Sequence, residues 1–222
     1  MRQELAGLEA DLASCERCFG PERRFVVRFA RPVERPRILL MGERPPRSLL
    51  QAEERLGLDN DDPGTLFLGQ LIAEAGLPKD RVVLGAAAMC RPASRRLESA
   101  AGMTVCLREC AVHVRELVRL TEPRLLVPLG KAALRSLRYA FPERPEFQEL
   151  RFPESVGRTI AVGGCWVHPV YHVTVRARLQ RRDDAQRRDW RALGRVWQWI
   201  EAGELGPRPA SLTTESATAH AT

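Results

Sequence analysis

The sequence predicts an α/β fold on a central, mostly parallel sheet, and three observations carry that reading. Apolar runs recur at residues 38–41, 82–89 and 125–129 without polar alternation, the pattern of strands covered on both faces. Amphipathic stretches of helical period lie between and after them. Each run closes on Gly or Pro, in Gly42-Glu43-Arg44-Pro45-Pro46, Cys90-Arg91-Pro92 and Gly130-Lys131. Strand ends of that kind are where open α/β sheets hold their ligands. The organising stretch is residues 82–92, which reads as one buried, central strand that delivers Cys90 to its end before Arg91-Pro92 breaks it.

A chain of 222 residues holds one domain with a sizeable core. That domain is expected over residues 1–205, with the Pro/Ser/Thr/Ala-rich residues 206–222 as a disordered tail. Basic residues outnumber acidic ones 35 to 28, for a net charge of +7, and Lys79 and Lys131 are the only lysines. Guanidinium forks suit phosphates and stack on bases, which makes nucleic acid the first partner to consider; codon bias leaves a similar composition. No long apolar span and no charged-then-apolar N-terminus is present, so the expected location is the cytosol. Six cysteines there point to metal binding or buried thiols rather than a disulfide framework.

Leu5, Leu8 and Leu12 give residues 2–14 the apolar face of a short helix, which runs into Cys15-Glu16-Arg17-Cys18. A C-x-x-C turn points two sulfurs the same way, a half-site that alone does not separate zinc, an iron-sulfur cluster and a redox dithiol. Residues 25–29 and 37–42 read as strands, 47–57 as a helix, and 58–64 as a polar loop lacking the alternation and closing Glu of a calcium loop. Glu43 either faces a ligand or is simply solvated. Residues 65–75 read as a helix in which Phe67 fits the core. After an arginine-bearing loop over 91–103, Thr104 suits the N-cap of a helix to about residue 120, with Leu107, Ala111, Val114, Leu117 and Val118 on its apolar face. On it Cys106 and Cys110 stand one turn apart, and either could complete a site with Cys15, Cys18 and Cys90. Ligands so dispersed suit a cubane cluster better than a two-knuckle zinc ribbon.

Gly130-Lys131, at the next strand-to-helix junction, lacks the other glycine of a phosphate loop, so ATP binding is not expected. Residues 141–155 form a Pro/Glu/Phe-rich excursion, and 159–162 with 165–170 a hairpin. It leads into His168-Pro169-Val170-Tyr171-His172-Val173-Thr174-Val175-Arg176-Ala177-Arg178. Two histidines four apart outside a helix, with no neighbouring carboxylate, make a poor metal pair. One can instead face a reacting group while the arginines hold phosphates. Residues 183–199 form the last amphipathic helix, with Trp190, Leu193, Val196 and Trp197 inward.

In their order these motifs resemble the uracil-DNA glycosylase superfamily, in particular its iron-sulfur family-four and family-five branch, over roughly residues 5 to 200. Cys15 and Cys18 stand for the early C-x-x-C, Gly42-Glu43-Arg44-Pro45-Pro46 for a strand ending G-E-A-P-G, and Gly64-Thr65-Leu66-Phe67-Leu68-Gly69 for G-x-P-F-x-G. Cys90-Arg91-Pro92 matches C-R-P, and Leu129-Gly130-Lys131-Ala132-Ala133 matches L-G-x-x-A. Tyr171-His172-Val173-Thr174, Arg176 and Asp189-Trp190 match Y-H-P-S, its following arginine and D-W.

The resemblance implies a three-layer αβα fold with a sheet of four to five strands, a 4Fe-4S cluster, and a monomeric, monofunctional DNA glycosylase acting on single- or double-stranded DNA. By the same resemblance His172 would stabilise charge on the leaving base, Glu43 or a nearby backbone group would place water, and Phe67 would stack on the flipped base. Arg176, Arg178, Arg181 and Arg182 would hold phosphates, and Cys15, Cys18 and Cys90 would bind the cluster. For the fourth ligand the family's spacing from Cys90 lands on Cys106, whereas the helix register lands on Cys110. A four-residue insertion is absorbed more easily in the 91–103 loop than inside a packed helix, which selects Cys110. His168 is the rival of His172, whose flanking tyrosine and arginine favour it.

The departures bear on substrate. Ala86 stands where the family has the asparagine that reads the uracil edge, and a methyl cannot make that hydrogen bond. Gly85, Ala86 and Ala87 leave room for a bulkier base, and Pro46 and Thr174 also depart from the family's loops. The implied activity is therefore excision of a damaged or modified base, uracil or another. The alternative is a non-catalytic iron-sulfur DNA-binding descendant; a zinc-stabilised protein-interaction domain is the third reading.

Overall fold

Four parallel strands and one antiparallel partner form the sheet that positions everything else in the computed structural model, which describes residues 2–20, 23–29, 37–46, 49, 55–92 and 99–205. The chain runs α1 (Arg2–Ser14), β1 (Arg23–Val26), β2 (Ile38–Gly42), α2 (Pro63–Glu74), β3 (Val82–Ala86), β4 (Cys90–Pro92), α3 (Ala100–Glu109) and α4 (Ala111–Thr121). There follow β5 (Leu125–Pro128), α5 (Gly130–Ala140), α6 (Pro145–Glu149), β6 (Ile160–Val162), β7 (Cys165–Val167), α7 (Val175–Gln180) and α8 (Asp183–Ala202). The sheet order is β3-β2-β5-β7-β6, parallel except for the β6–β7 hairpin, while β1 and β4 pair antiparallel in a separate ribbon.

The apolar runs explain the layering. In β2, Leu39 and Met41 enter one core and Ile38 and Leu40 the other; in β5, Leu126 faces the first and Leu125 and Val127 the second. Leucines from α1, α3, α4 and α5 fill the first core, and α2 and α8 fill the second with Phe67, Leu71, Trp190 and Trp197. Each fully buried leucine of this kind contributes about 1.5–3 kcal/mol. The result is the expected three-layer αβα fold. Helices α2 and α8 approach so closely that a Cβ on Gly194 would stand 2.1 Å from the carbonyl oxygen of Ala75. Among the described residues no helix is long and apolar enough to cross a membrane.

The structure corrects several boundaries. Residues 82–92 are two strands rather than one, and β3 is an edge strand rather than a central one. After Ala86 the chain leaves the sheet through Ala87 and Ala88, whose N–H groups bond the carbonyls of Gly42 and Glu43 at 2.9 Å. Cys90 thus opens the ribbon strand β4. The helix expected from Thr104 begins instead behind Ser99, whose hydroxyl accepts from the Gly102 N–H at 3.0 Å. It changes course at Cys110, which ends α3 and precedes α4. Helix α2 starts at Pro63, capped by Asp62. Most of the helix expected over 47–57 lies outside the described residues, as does the tail 206–222.

Candidate active site

Because β2, β3, β5 and β7 are parallel, their carboxyl ends share one edge, and there a cleft of about 730 Å³ opens. Its walls are the ends of those strands and the segments that follow: Gly42 at the end of β2 with Glu43 and Arg44 after it, Leu129, Gly130 and Lys131 after β5, and Tyr171 to Thr174 after β7. Asp62, Gly64 and Thr65 close it from the start of α2.

His172 sits where these segments meet. The Thr174 N–H donates to Nδ1 at 3.2 Å, and the Glu43 N–H faces Nε2 at 3.4 Å. A neutral imidazole accepts at one nitrogen only, so the tautomer decides which of these two N–H groups is bonded. An imidazolium would oppose two N–H donors. Burial pushes the His172 pKa down to about 4 against the opposing charge of Asp62, so the ring is neutral at pH 7.

A glycine with positive φ makes this packing possible. Gly130 has φ +81°, and a Cβ there would lie 3.1 Å from the Cβ of His172. Its N–H bonds the Val170 carbonyl at 2.8 Å, anchoring the chain two residues before His172. At Gly42 a Cβ would make only an ordinary contact, 3.7 Å from His172 Nε2. Behind the ring, the buried Gln186 donates to the His172 carbonyl at 3.3 Å. Asp62 is occupied as a cap, accepting from the Gly64 and Thr65 N–H groups at 3.0 and 3.1 Å.

Among the expected site residues, Glu43 and His172 come together in the cleft, with Glu43 exposed at its rim. His168 does not join them: it is 1% exposed, its Nδ1 lies 2.9 Å from Thr159 Oγ1, and burial lowers its pKa to about 4. Phe67 and Ala86 are buried in opposite cores and neither lines the cleft. The guanidiniums of Arg178 and Arg187 cover the Phe67 ring at 4.4 and 5.4 Å. Arg176 is exposed and lines the cleft. Arg178 is tied to Asp183, and Arg181 holds Asp189 with two bonds of 2.9 and 2.7 Å, so both serve the α7–α8 joint. Arg182 is exposed at the N-cap of α8.

The cysteines gather on the far side of the β2 loop. Cys15, Cys18, Cys90 and Cys110 line one small void with His113. The Cys18 thiol lies within hydrogen-bonding reach of Cys106, Cys110 and Cys90, which with burial pushes its pKa far up. Its hydrogen bond lowers Cys106 to about 7, aided by the charge of Arg44 and opposed by burial. Among the described residues no group of three or more His, Cys, Asp or Glu side chains is gathered to hold a single metal ion. The donor set nevertheless fits a thiolate-bound cluster: four of the residues that line the void are cysteines, and the Nε2 of His113 is buried without a hydrogen-bond partner.

Arg44 escaped the sequence reading, since an arginine in a loop carries no signal of its own. It lines the cleft, yet its Nη2 reaches Cys106 Sγ at 3.7 Å. Lys131 was separable from a phosphate loop by sequence, but its position on the cleft follows only from β5.

A family model for the Uracil DNA glycosylase superfamily matches residues 31–194. No curated protein matches the chain. The matched region takes in well over half of the sequence and the loops after β2, β5 and β7, while Cys15 and Cys18 lie ahead of it. With that match and with this cleft, the chain belongs to the uracil DNA glycosylase superfamily.

Proposed function

We propose that the protein is a monofunctional DNA glycosylase of the superfamily's iron-sulfur branch, a cytoplasmic monomer that excises a damaged or modified base from single- or double-stranded DNA. The observation that carries this reading is the meeting of Glu43 and His172, 129 residues apart, at the carboxyl ends of parallel strands. Extrusion of the nucleotide costs a few kcal/mol, least at a mismatched or single-stranded site. As the C1′–N bond breaks, its electron pair leaves with the base, and neutral His172, in the tautomer that carries its proton on Nε2 and gives up the Glu43 contact, donates to the oxygen that gathers the charge. Water adds its oxygen to C1′ and passes a proton to the Glu43 carboxylate, from which it returns to the base or to solvent.

Cys15, Cys18, Cys90 and Cys110 would hold the 4Fe-4S cluster, a reading supported by the four cysteines that line one void together with Leu12, Phe19, Met89 and His113. When bound, the cluster supplies a covalent tie between the C-x-x-C turn, β4 and the α3–α4 joint. Arg44 links that tie to the loop bearing Glu43.

One observation favours a non-catalytic DNA-binding descendant: Phe67 and Ala86 lie outside the lining of the cleft. The two readings separate in base release from oligonucleotides carrying uracil, hypoxanthine, xanthine or bulkier modified pyrimidines, with His172→Ala alongside. Release that vanishes in the variant supports the glycosylase. Tight, salt-sensitive binding with no release from any of them supports the binder.

A further inference from the structure

Helix α5 contains no acidic residue. It turns Ala133, Leu134, Leu137 and Ala140 into the core and leaves Lys131, Arg135 and Arg138 on the other side, spaced i, i+4, i+7 along one face. That face begins at the cleft, which Lys131 lines. Two more cations flank it. Arg108 of α3 covers the Tyr139 ring at 5.5 Å, and Arg135 donates to the Tyr139 hydroxyl and to Thr104 Oγ1, both at 3.2 Å. Arg151 precedes Phe152, another residue of the cleft wall.

None of these five cations has a carboxylate partner among the described residues. Arg138 bonds the Leu150 carbonyl, and Arg151 the Gln148 carbonyl. Other arginines are paired: Arg55 with Glu9, Arg81 and Arg124 with Glu201, Arg115 with Glu143, and Arg119 with Glu116. An arginine-rich composition would leave unpaired cations scattered, whereas these adjoin one another and the cleft. Burial, followed by the charges of Arg151 and Arg135, lowers the pKa of Arg138. A polyanion laid along the face would relieve that repulsion.

We propose that this face of α5, with Arg108 and Arg151, is a phosphate track that holds the nucleic-acid strand leaving the cleft; the inference rests on reading the cleft as the DNA site. From Lys131 to Arg138 the helix rises about 10 Å. That length takes about three nucleotide steps of one strand at 3.4 Å each. An acidic peptide would meet the same charges but not their continuity with a nucleotide-sized cleft.

The test uses the full chain and two oligonucleotides, one just long enough to fill the cleft and one that extends well beyond it. In Arg108→Gln/Arg151→Gln, the slope of log K against log salt for the longer strand should shrink by about 1.4–1.8, two contacts' worth. The shorter strand should bind as it does to the unaltered protein, and Arg108→Lys/Arg151→Lys should keep the full slope. An unchanged slope on the longer strand, with correctly folded protein by circular dichroism, overturns the track and leaves the cleft reading intact. Unaltered protein that binds neither strand overturns the cleft reading itself.

Discussion

Nη2 of Arg44 reaches the sulfur of Cys106 at 3.7 Å, while the residue before it, Glu43, presents its backbone N–H to His172. One short loop therefore joins the cysteine centre to the cleft. The Arg44 side chain is 9% exposed, and its guanidinium also lies 5.8 Å from the centre of the Phe19 ring, beside the C-x-x-C turn.

Arg44→Met keeps the length of the side chain and removes its charge and donors. Loss of a buried charged hydrogen bond costs about 1.5–3 kcal/mol. Denaturant unfolding should show that loss, and iron should leave faster under chelator challenge. Unaltered stability and iron retention would sever the link between the two sites.

His168 and His172 both act on the acid side of the stability profile. Each has a folded pKa of about 4 against an ordinary value of 6.5. Between those values the unfolded chain binds a proton that the folded chain refuses, so stability is intact above pH 6.5 and falls as pH drops towards 4. Below 4 the slope from these groups disappears. Each shift is worth about 3 kcal/mol over that window. Urea unfolding between pH 7 and pH 4 measures it, and His172→Gln should remove roughly half of the slope that these two groups contribute. On the proposed mechanism base release should stay flat from pH 7 to about 5, because the neutral ring would be the working form. A rate that climbs through 6.5 on acidification would assign the imidazolium instead.

Gly130→Ala tests the seating of His172. Its left-handed φ of +81° costs an alanine about 1 kcal/mol. The new methyl would also meet the His172 Cβ at 3.1 Å. A total loss of about 1–3 kcal/mol in thermal unfolding is expected. Base release should fall further than the unfolded fraction explains, since the ring must move.

The fold was legible where burial alone determines it. Residues 38–41 and 125–129 are apolar without interruption because β2 and β5 are covered on both faces, and Gly42, Gly130 and His172 end or follow parallel strands whose ends must converge. The split between β3 and β4 was silent because Ala87, Ala88 and Met89 are as apolar as the strand before them; only their hydrogen bonds turn the chain. The joint at Cys110 was equally silent, since the apolar period from Leu107 to Val118 continues through it. Phe67 shows the two kinds of inference at odds. Its spacing with Leu68, Leu71 and Ile72 makes it core, as observed, whereas motif resemblance assigned it to the base. Arg178 and Arg181 meet their carboxylates across the α7–α8 turn, a proximity that no local pattern announces.

Five cysteines approach one another where a cubane cluster takes four. Cys110 lines the void with Cys15, Cys18 and Cys90, whereas Cys106 receives Arg44. Anaerobic preparations of Cys110→Ala should lose iron and visible absorbance, while Cys106→Ala should retain both. The reverse result would transfer the fourth ligand to Cys106.

Arg176 and Arg178 separate a phosphate contact from a structural one. Both are basic residues just past His172, but Arg176 lines the cleft without a carboxylate partner among the described residues, whereas Arg178 is committed to Asp183 and to the Phe67 ring. Arg176→Gln should therefore weaken DNA binding at low salt and shrink the salt slope by about 0.7–0.9, one counterion's worth. Arg178→Gln should leave that slope in place and act on stability instead. Its pair with Asp183 is partly exposed, so the ionic part is worth no more than about 1 kcal/mol. The guanidinium over Phe67 adds about 0.5–1 kcal/mol. Equal changes of slope in the two variants would mean that Arg178 releases Asp183 when DNA arrives, and the α7–α8 joint would then belong to the binding surface.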